Sequence, residues 1–221
     1  NIVCLRDIKY QGDAVYFIME QCEMDLATLI YKKKAAYAST VGVDMRVTLM
    51  KEILMGLEHL HSFDIAHRDI KPSNVLITSS FHPKLCDFGL ARQMTGKNID
   101  ETDAYCTVGN LGSHDPMTPY VVTRWYRAPE VVITEGVYQL AQDVWSAACV
   151  FTEIITSRVL FPGTDSVHQL HLIVDGMGSP SVRDVTFPGV SSNAVSFFRS
   201  MYHREERLVQ LIDSPVWESS G

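Results

Sequence analysis

The stretch HRDIKPSN, His67 to Asn74, decides the fold of this chain when it is read together with CDFGLAR, Cys86 to Arg92. Between them, the two stretches supply carboxylates, an ammonium group and a side-chain amide. Transfer of a phosphoryl group needs a carboxylate beside the attacking hydroxyl, oxygen ligands for Mg²⁺ and a cation near the migrating phosphate. Four side chains are therefore predicted to share this chemistry: Asp69 as proton acceptor, Lys71 as cation, and Asn74 with Asp87 as Mg²⁺ ligands.

The segment between the two stretches reads as a pair of short strands. VLIT (Val75 to Thr78) and PKLCDF (Pro83 to Phe88) are apolar runs on either side of a polar turn, which is typical of a β-hairpin. A hairpin would bring the end of the first stretch back beside the start of the second. The plain alternative is that His67 to Asp69 form a solvated loop and that Asp87 is a turn residue.

The residues of both stretches resemble the catalytic loop and the metal-binding loop of eukaryotic protein kinases. The pattern Asp-x-Lys-Pro-x-Asn, which begins at Asp69, is similar to that of serine/threonine kinases, whereas tyrosine kinases usually carry Ala and Arg here. The resemblance implies transfer of the γ-phosphate of ATP to a protein hydroxyl, with ATP and Mg²⁺ as cofactors. Small-molecule phosphotransferases share the His-x-Asp core and are a lesser rival.

A second motif, MTPYVVTRWYRAPE, Met117 to Glu130, resembles the dual-phosphorylation lip of mitogen-activated protein kinases. The resemblance implies activating phosphates on Thr118 and Tyr120, placed there by an upstream dual-specificity kinase. Such phosphates order a loop through charge-assisted bonds to arginines. The expected partners are Arg68 and Arg92 for Thr118, and Arg124 and Arg127 for Tyr120. The alternative is that Thr118 and Tyr120 are ordinary loop residues.

The same resemblance implies a preference for Ser-Pro and Thr-Pro sites in protein substrates. In proline-directed kinases an arginine at the position of Arg127 holds a lip carbonyl, here near Val122, turned away from the substrate. Proline has no backbone N–H, so it loses no hydrogen bond there. Thr123 is expected to bridge Asp69 and Lys71, as the matching threonine does in serine/threonine kinases.

The beginning of the chain reads as a hairpin, with apolar runs at Asn1 to Ile8 and Ala14 to Glu20. These runs resemble the fourth and fifth strands of a kinase small lobe. The sequence contains no G-x-G-x-x-G and no strand lysine, so the chain as given is interpreted as a fragment that is inactive by itself. Five residues are expected to form the nucleotide pocket: Met19, Glu20, Cys22, Asp25 and Leu76. Asp25 also suits the N-cap of a following helix.

Two helices are predicted from apolar periodicity. The first runs from Asp44, its expected N-cap, to His61, with an apolar face that includes Val47 and Leu54. His59 and His61 are interpreted as surface residues of that helix. The second helix runs from Ala141 to Ser157 and is apolar nearly all round, and by resemblance Asp143 anchors the backbone of the catalytic loop.

Composition excludes several classes of protein. A formal charge of −7 and a pI near 5.6 argue against a nucleic-acid partner. The odd number of cysteines, 5, fits no zinc spacing and indicates a reducing compartment. The longest apolar run, Val144 to Ile155, is too short to span a membrane. We expect a cytoplasmic protein without a membrane partner, with the nucleus as a second location.

The sequence thus predicts an α+β, protein-kinase-like fold that is mostly the α-helical large lobe. Residues 1–21 are expected to be a remnant of the β-rich small lobe, and residues 22–221 an incomplete large lobe. The expected function is that of a mitogen-activated serine/threonine kinase. The rival interpretation is a catalytically inactive kinase fragment that acts as a binding or scaffold module.

Overall fold

The computed structural model describes residues 1–32, 41–94, 124–133, 139–181 and 207–213, together with residues 196, 198 and 205. The chain divides into two compact units, residues 1–94 with 143–158 and residues 95–142 with 159–221. Helices and small antiparallel sheets are mixed along the described residues, which confirms the predicted α+β class.

The first unit begins with the predicted hairpin, formed by β1 (Leu5–Gln11) and β2 (Ala14–Met19). Gln11 pairs with Ala14 at its tip, and Gly12 turns the chain with a φ of 59°. The first strand was predicted to begin at Asn1, which is wrong. Instead Asn1 to Val3 run parallel to Leu85, whose N–H donates to the carbonyl of Asn1 at 2.8 Å.

Two small sheets frame the predicted catalytic loop. One has the order β3 (Met24–Asp25), β5 (Val75–Ile77) and β6 (Pro83–Leu85), all antiparallel. The other pairs β4 (Ile65–Ala66) with β7 (Arg92–Gln93). The hairpin predicted between the two motifs is confirmed by β5 and β6. Because β4 ends at Ala66 and β5 starts at Val75, the loop between them is fixed at both ends.

Helix α1 (Val43–His61) packs its apolar stripe on the sheets, with its centre at Leu49, Ile53 and Leu57. Two details of the sequence prediction are wrong. The N-cap is Gly42 rather than Asp44, which lies in the first turn. Val47 and Leu54 were expected in the buried face but are 54% and 42% exposed.

Close packing at Gly56 explains why the buried face of α1 excludes Val47 and Leu54. A Cβ at this position would lie 3.0 Å from the carbonyl oxygen of Asn1 and 3.1 Å from Cδ1 of Leu85. The N-terminal segment and β6 therefore approach the helix backbone directly at Gly56. The side of α1 that contains Gly56 faces the core, and Leu49 lies on that side while Leu54 does not.

Helix α3 (Ala141–Thr156) confirms the second predicted helix, and its part from Asp143 onward completes the first unit. Ala147, Val150 and Ile154 are fully buried. The hydroxyl of Tyr31, in the helical turn Thr28–Lys32, donates to the buried carboxylate of Glu153. Burial and this contact raise the pKa of Tyr31.

The second unit contains α2 (Pro129–Ile133), α4 (Ser166–Met177) and α5 (Leu208–Asp213). The indole N–H of Trp125 donates to the carbonyl of Gly163 at 3.1 Å. The carboxylate of Asp165 caps α4 through the amide of His168, and this bond lowers the pKa of Asp165. No helix among the described residues is long and apolar enough to cross a bilayer.

We predict that Gly56→Val lowers the free energy of unfolding by about 1–3 kcal/mol, the usual cost of overpacking. The isopropyl group would collide with backbone at Asn1 and with Leu85. Gly42→Val is the matched control, because a Cβ at Gly42 meets nothing within 4 Å. Urea denaturation measures both, and equal losses in the two variants would contradict the packing argument.

Candidate active site

The predicted catalytic loop brings Asp69, Lys71 and Asn74 into direct contact. Nζ of Lys71 lies 2.8 Å from Oδ2 of Asp69. Nδ2 of Asn74 donates to the same Oδ2 and to the backbone carbonyl of Asp69, both at 2.8 Å. Charge-assisted bonds of this kind are stronger than neutral ones. The carboxylate of Asp69 is therefore held in one orientation from two sides.

These contacts also fix the orientation of the Asn74 amide. Its two close partners are both oxygen acceptors, so the group that faces them is the NH₂ and not the carbonyl. The Oδ1 atom consequently points away from Asp69. An amide oxygen is a suitable ligand for Mg²⁺.

The N–H of Cys86 donates to the carbonyl of Asn74 at 3.0 Å. This backbone hydrogen bond brings Asp87, the next residue, close to Asn74. Asp87 has a φ of 62°, in the left-handed region, and its carboxylate accepts from the amide of Gly89 at 3.4 Å. The side chain is exposed. Burial and the neighbouring Asp87 raise the pKa of the Cys86 thiol to about 11, so that thiol stays protonated at neutral pH.

His67 connects the catalytic loop to the segment of Asp87. Its Nε2 lies 3.0 Å from the carbonyl of Cys86, and its Nδ1 accepts from the amide of Asp69 at 3.4 Å. A ring that donates from one nitrogen and accepts at the other is the neutral tautomer. The ring is fully buried and packs against Phe88 in a tilted arrangement, with 5.0 Å between the centroids. Burial lowers the pKa of His67, against the opposing effects of Asp143 and the Cys86 carbonyl.

Asp143 holds the backbone of the same loop. Its Oδ1 accepts from the amide of Arg68 at 2.9 Å, and its Oδ2 accepts from the amide of His67 at 2.8 Å. The expected anchoring of the loop by Asp143 is thus seen in the geometry. Arg68 needs this support because its φ of 71° is unusual for a residue with a side chain.

His61 also contacts Asp143, with 2.9 Å between Nε2 and Oδ2. His61 is thus only partly exposed and bonds to a buried carboxylate, which the sequence did not predict, whereas His59 is exposed as expected. Helical periodicity does not reveal such a contact, because His61 is the last residue of α1 and its partner lies 82 residues further along the chain.

Two of the residues expected around the nucleotide, Asp25 and Leu76, lie in the sheet of β3, β5 and β6. Leu76 pairs with Asp25 on one side and with Lys84 on the other, so these three side chains share one sheet face. The carboxylate of Glu20 reaches Lys84 at 2.7 Å, and this ion pair lowers the pKa of Glu20. The sequence analysis did not predict that Lys84 forms an ion pair with Glu20.

Asp25, Met19 and Cys22 belong to the same predicted nucleotide pocket. Both carboxylate oxygens of Asp25 accept from Thr28, through its amide and its hydroxyl, so the N-cap alternative is seen. Met19 ends β2 and is 53% exposed. Cys22 is half-buried, and burial raises the pKa of its thiol.

The arginines expected to bind phosphate are divided between the two units. In the first unit, Arg92 pairs with Ala66, two residues before Arg68, so the backbones of the two arginines are close. In the second unit, Arg124 donates to the carbonyl of Thr164 at 3.4 Å. Arg127 directly follows the helical turn Arg124–Tyr126, and its N–H donates to the carbonyl of Arg124 at 3.0 Å. Thr118, Tyr120, Val122 and Thr123 lie outside the described residues.

We predict that acid weakens the fold through His67. The folded-state pKa is below the reference value of 6.5, so the unfolded chain binds more protons once the pH falls below about 6.5. Stability is then lost as the pH falls through that value and is fully present above it. His67→Gln keeps a donor and an acceptor but does not titrate. The free energy of unfolding, measured from pH 8 to pH 5, should fall less steeply in this variant, and an unchanged slope would contradict the prediction.

Comparison with known proteins finds relatives along most of the chain. Residues 1–208 match the model of the protein kinase domain. The chain is 38% identical to mitogen-activated protein kinase 1 of Oryza sativa subsp. japonica over 206 residues, which cover 91% of this chain and 46% of that protein. It is 38% identical to HOG1 of Saccharomyces cerevisiae over 207 residues, covering 93% and 41% respectively.

A third relative, KSS1 of Saccharomyces cerevisiae, is 41% identical over 172 residues, which cover 78% of this chain and 44% of that protein. All three carry the name mitogen-activated protein kinase, and the chain spans less than half the length of each. Because the kinase model matches residues 1–208, nearly the whole sequence, the chain belongs to the protein kinase family.

Proposed function

We propose that this chain carries the catalytic loop of a mitogen-activated serine/threonine kinase, which transfers the γ-phosphate of ATP to Ser-Pro or Thr-Pro sites in proteins. The observation that supports this most directly is the contact of Asp69 with both Lys71 and Asn74 at 2.8 Å. A carboxylate held in this way is suited to accept the proton of an attacking hydroxyl.

The remaining roles follow from the same geometry. Lys71 is close enough to Asp69 to place its positive charge beside both the hydroxyl and the phosphate that the hydroxyl attacks. Oδ1 of Asn74 and the carboxylate of Asp87 are the two oxygens that would hold Mg²⁺. Bound Mg²⁺ would neutralise charge on the phosphates.

The chemistry of these two ligands fits Mg²⁺. Among the described residues no group of three or more His, Cys, Asp and Glu side chains is placed to hold a metal ion. Mg²⁺ does not need such a group, because it is usually bound by one or two protein oxygens together with water and substrate phosphates. The protein kinase family generally uses ATP and Mg²⁺ in this way.

The position of the nucleotide and the regulation of the site are part of the same proposal. The adenine would lie against the face of Leu76, between Glu20 and Asp25, with residues 1–21 as part of a small lobe and the rest as a large lobe. The backbones of Glu20 and Cys22 would form hydrogen bonds to the base; the amide of Glu20 itself donates to the carbonyl of Cys4 at 2.9 Å. Phosphates on Thr118 and Tyr120, added by an upstream dual-specificity kinase, would be bound by arginines such as Arg68 and Arg92.

In a chain extended at its N-terminus by a glycine-rich loop and a strand lysine, we predict that Asp69→Asn lowers the rate of phosphate transfer to a Ser-Pro peptide by about 10²–10⁴-fold, the usual contribution of a general base. Affinity for Mg·ATP should be nearly unchanged, because Asp69 is not one of the proposed metal ligands. Asp64→Asn is the control, since Asp64 is an exposed loop residue just before β4. Equal transfer rates in the two variants would contradict the assignment. Binding of Mg·ATP by the extended chain without any transfer would favour the rival, a binding module.

We predict that Asp87→Asn removes most of the stabilisation that Mg·ATP gives to the chain. One-site binding at 100 times Kd stabilises a protein by about 2.7 kcal/mol. Asparagine tolerates the left-handed backbone of Asp87, so the fold should survive the change. Asp64→Asn is a matched control, because Asp64 also has a positive φ, of 56°. Thermal unfolding with and without Mg·ATP is the measurement, and an undiminished shift in Asp87→Asn would exclude Asp87 as a ligand.

A further inference from the structure

The side chain of Glu20 takes a place at the end of the β1–β2 hairpin that normally belongs to a backbone carbonyl. In a hydrogen-bonded pair of an antiparallel ladder, two opposite residues exchange both of their N–H···O=C bonds. Of these two bonds, the structure describes the one from the amide of Glu20 to the carbonyl of Cys4, at 2.9 Å. The amide of Cys4 donates instead to Oε1 of the Glu20 side chain, at 2.7 Å. The regular pairing of β2 accordingly ends at Met19.

The backbone carbonyl of Glu20 is thereby released from the ladder. An amide N–H carries one proton and makes one strong hydrogen bond, so the Cys4 amide serves either the side chain or the backbone of Glu20. The carboxylate is the stronger acceptor of the two, because bonds to a charged group are stronger than neutral ones. The carbonyl of Glu20 is therefore open to a donor from outside the chain.

Lys84 holds the Glu20 carboxylate in this position. Its Nζ lies 2.7 Å from Oε1 and 2.8 Å from Oε2 of Glu20. The side chains of Lys84 and Glu20 are only 24% and 15% exposed, so the pair is partly shielded from water. The Lys84 ammonium and the Cys4 amide together lower the pKa of the Glu20 carboxyl, which therefore stays ionised at neutral pH.

Lys84 also ties the end of β2 to the sheet on which the base is proposed to lie. It is the cross-strand partner of Leu76, which pairs with Asp25 on its other side. A carbonyl near this sheet can only accept a hydrogen bond, so it distinguishes between purines. Adenine carries an amino group, a donor, where guanine carries a carbonyl oxygen, an acceptor.

We propose that the side chains of Glu20 and Lys84 select the base of the nucleotide. The Glu20 carboxylate occupies the amide of Cys4, Lys84 keeps it there, and the carbonyl of Glu20 is left to accept the amino group of adenine. Without the carboxylate, the Cys4 amide would pair with that carbonyl and the ladder of β2 would extend by one residue. The inference rests on the proposed function, which places adenine beside Glu20.

Three substitutions separate this role from a general contribution to folding. Glu20→Met removes the acceptor at nearly constant side-chain length, whereas Glu20→Gln keeps an oxygen for the Cys4 amide. Lys84→Met removes the ion pair and leaves the carboxylate. Glu23→Gln is the matched control, because Glu23 is an exposed acid in the same segment between β2 and β3.

The first measurement identifies the acceptor of the Cys4 amide and needs no nucleotide. NMR coupling across a hydrogen bond links the amide nitrogen to the carbon of its acceptor. In the wild-type chain we expect coupling from Cys4 to the side-chain carboxyl carbon of Glu20, and in Glu20→Met coupling to the backbone carbonyl carbon of residue 20. Coupling to the backbone carbonyl in the wild-type chain would overturn the proposal, and this arm holds even if Glu20→Met does not fold.

The second measurement compares two nucleotides that differ in the amino group, on the chain extended by a glycine-rich loop and a strand lysine. These are Mg·ATP and the Mg²⁺ complex of purine riboside triphosphate, which lacks that group. We expect the extended chain to bind ATP about tenfold more tightly, on the scale of one hydrogen bond. The ratio of the two Kd values should approach one in Glu20→Met, fall about threefold in Lys84→Met, and stay unchanged in Glu20→Gln and Glu23→Gln. An unchanged ratio in Glu20→Met or Lys84→Met, even with weaker binding of both nucleotides, would overturn the proposal.

This inference and the proposed function fail in different ways. An extended chain that binds neither nucleotide would contradict the proposed function, and the Cys4 coupling would still decide whether the Glu20 side chain replaces its own carbonyl. An extended chain that binds both nucleotides equally well would leave the kinase proposal standing and would overturn the selection of the base by Glu20 and Lys84.

Discussion

The constraint on which the first unit depends is the burial of one carboxylate, that of Asp143. A buried charge is costly unless donors surround it, and here the donors come from the backbone of the catalytic loop and from the end of α1. The cost of burial is therefore offset only when the loop, α1 and α3 are all in place. This makes the conformation of the loop a consequence of folding and not an adjustment made by a ligand.

A second buried polar group, the imidazole of His67, connects the catalytic loop to the segment around Asp87. As a neutral ring it joins the amide of Asp69 to the carbonyl of Cys86. The side chain proposed to accept a proton and the side chain proposed to bind metal are thus connected through one residue that is itself shielded from water. Their relative position is set by short-range contacts within a single compact unit.

Much of this could be predicted from the sequence, because the informative features are local. The hairpin of β5 and β6 follows from two apolar runs around a turn, and α3 follows from its continuous apolar composition. Asp69, Lys71 and Asn74 could be predicted to lie together because all three belong to the short loop between β4 and β5. The predictions that were wrong concern residues whose environment depends on contacts from distant parts of the chain. Periodicity could not show that Asn1 and Leu85 press on Gly56, and so it could not show that Val47 and Leu54 would face outward.

The β1–β2 hairpin has a practical consequence for anyone who handles the chain. Every residue of both strands is exposed, and these include large apolar side chains, among them Tyr10, Phe17 and Met19. Such a surface adheres to other apolar surfaces, and two copies of a strand with open backbone groups pair readily with each other. We therefore expect this hairpin to promote self-association of the chain at high protein concentration.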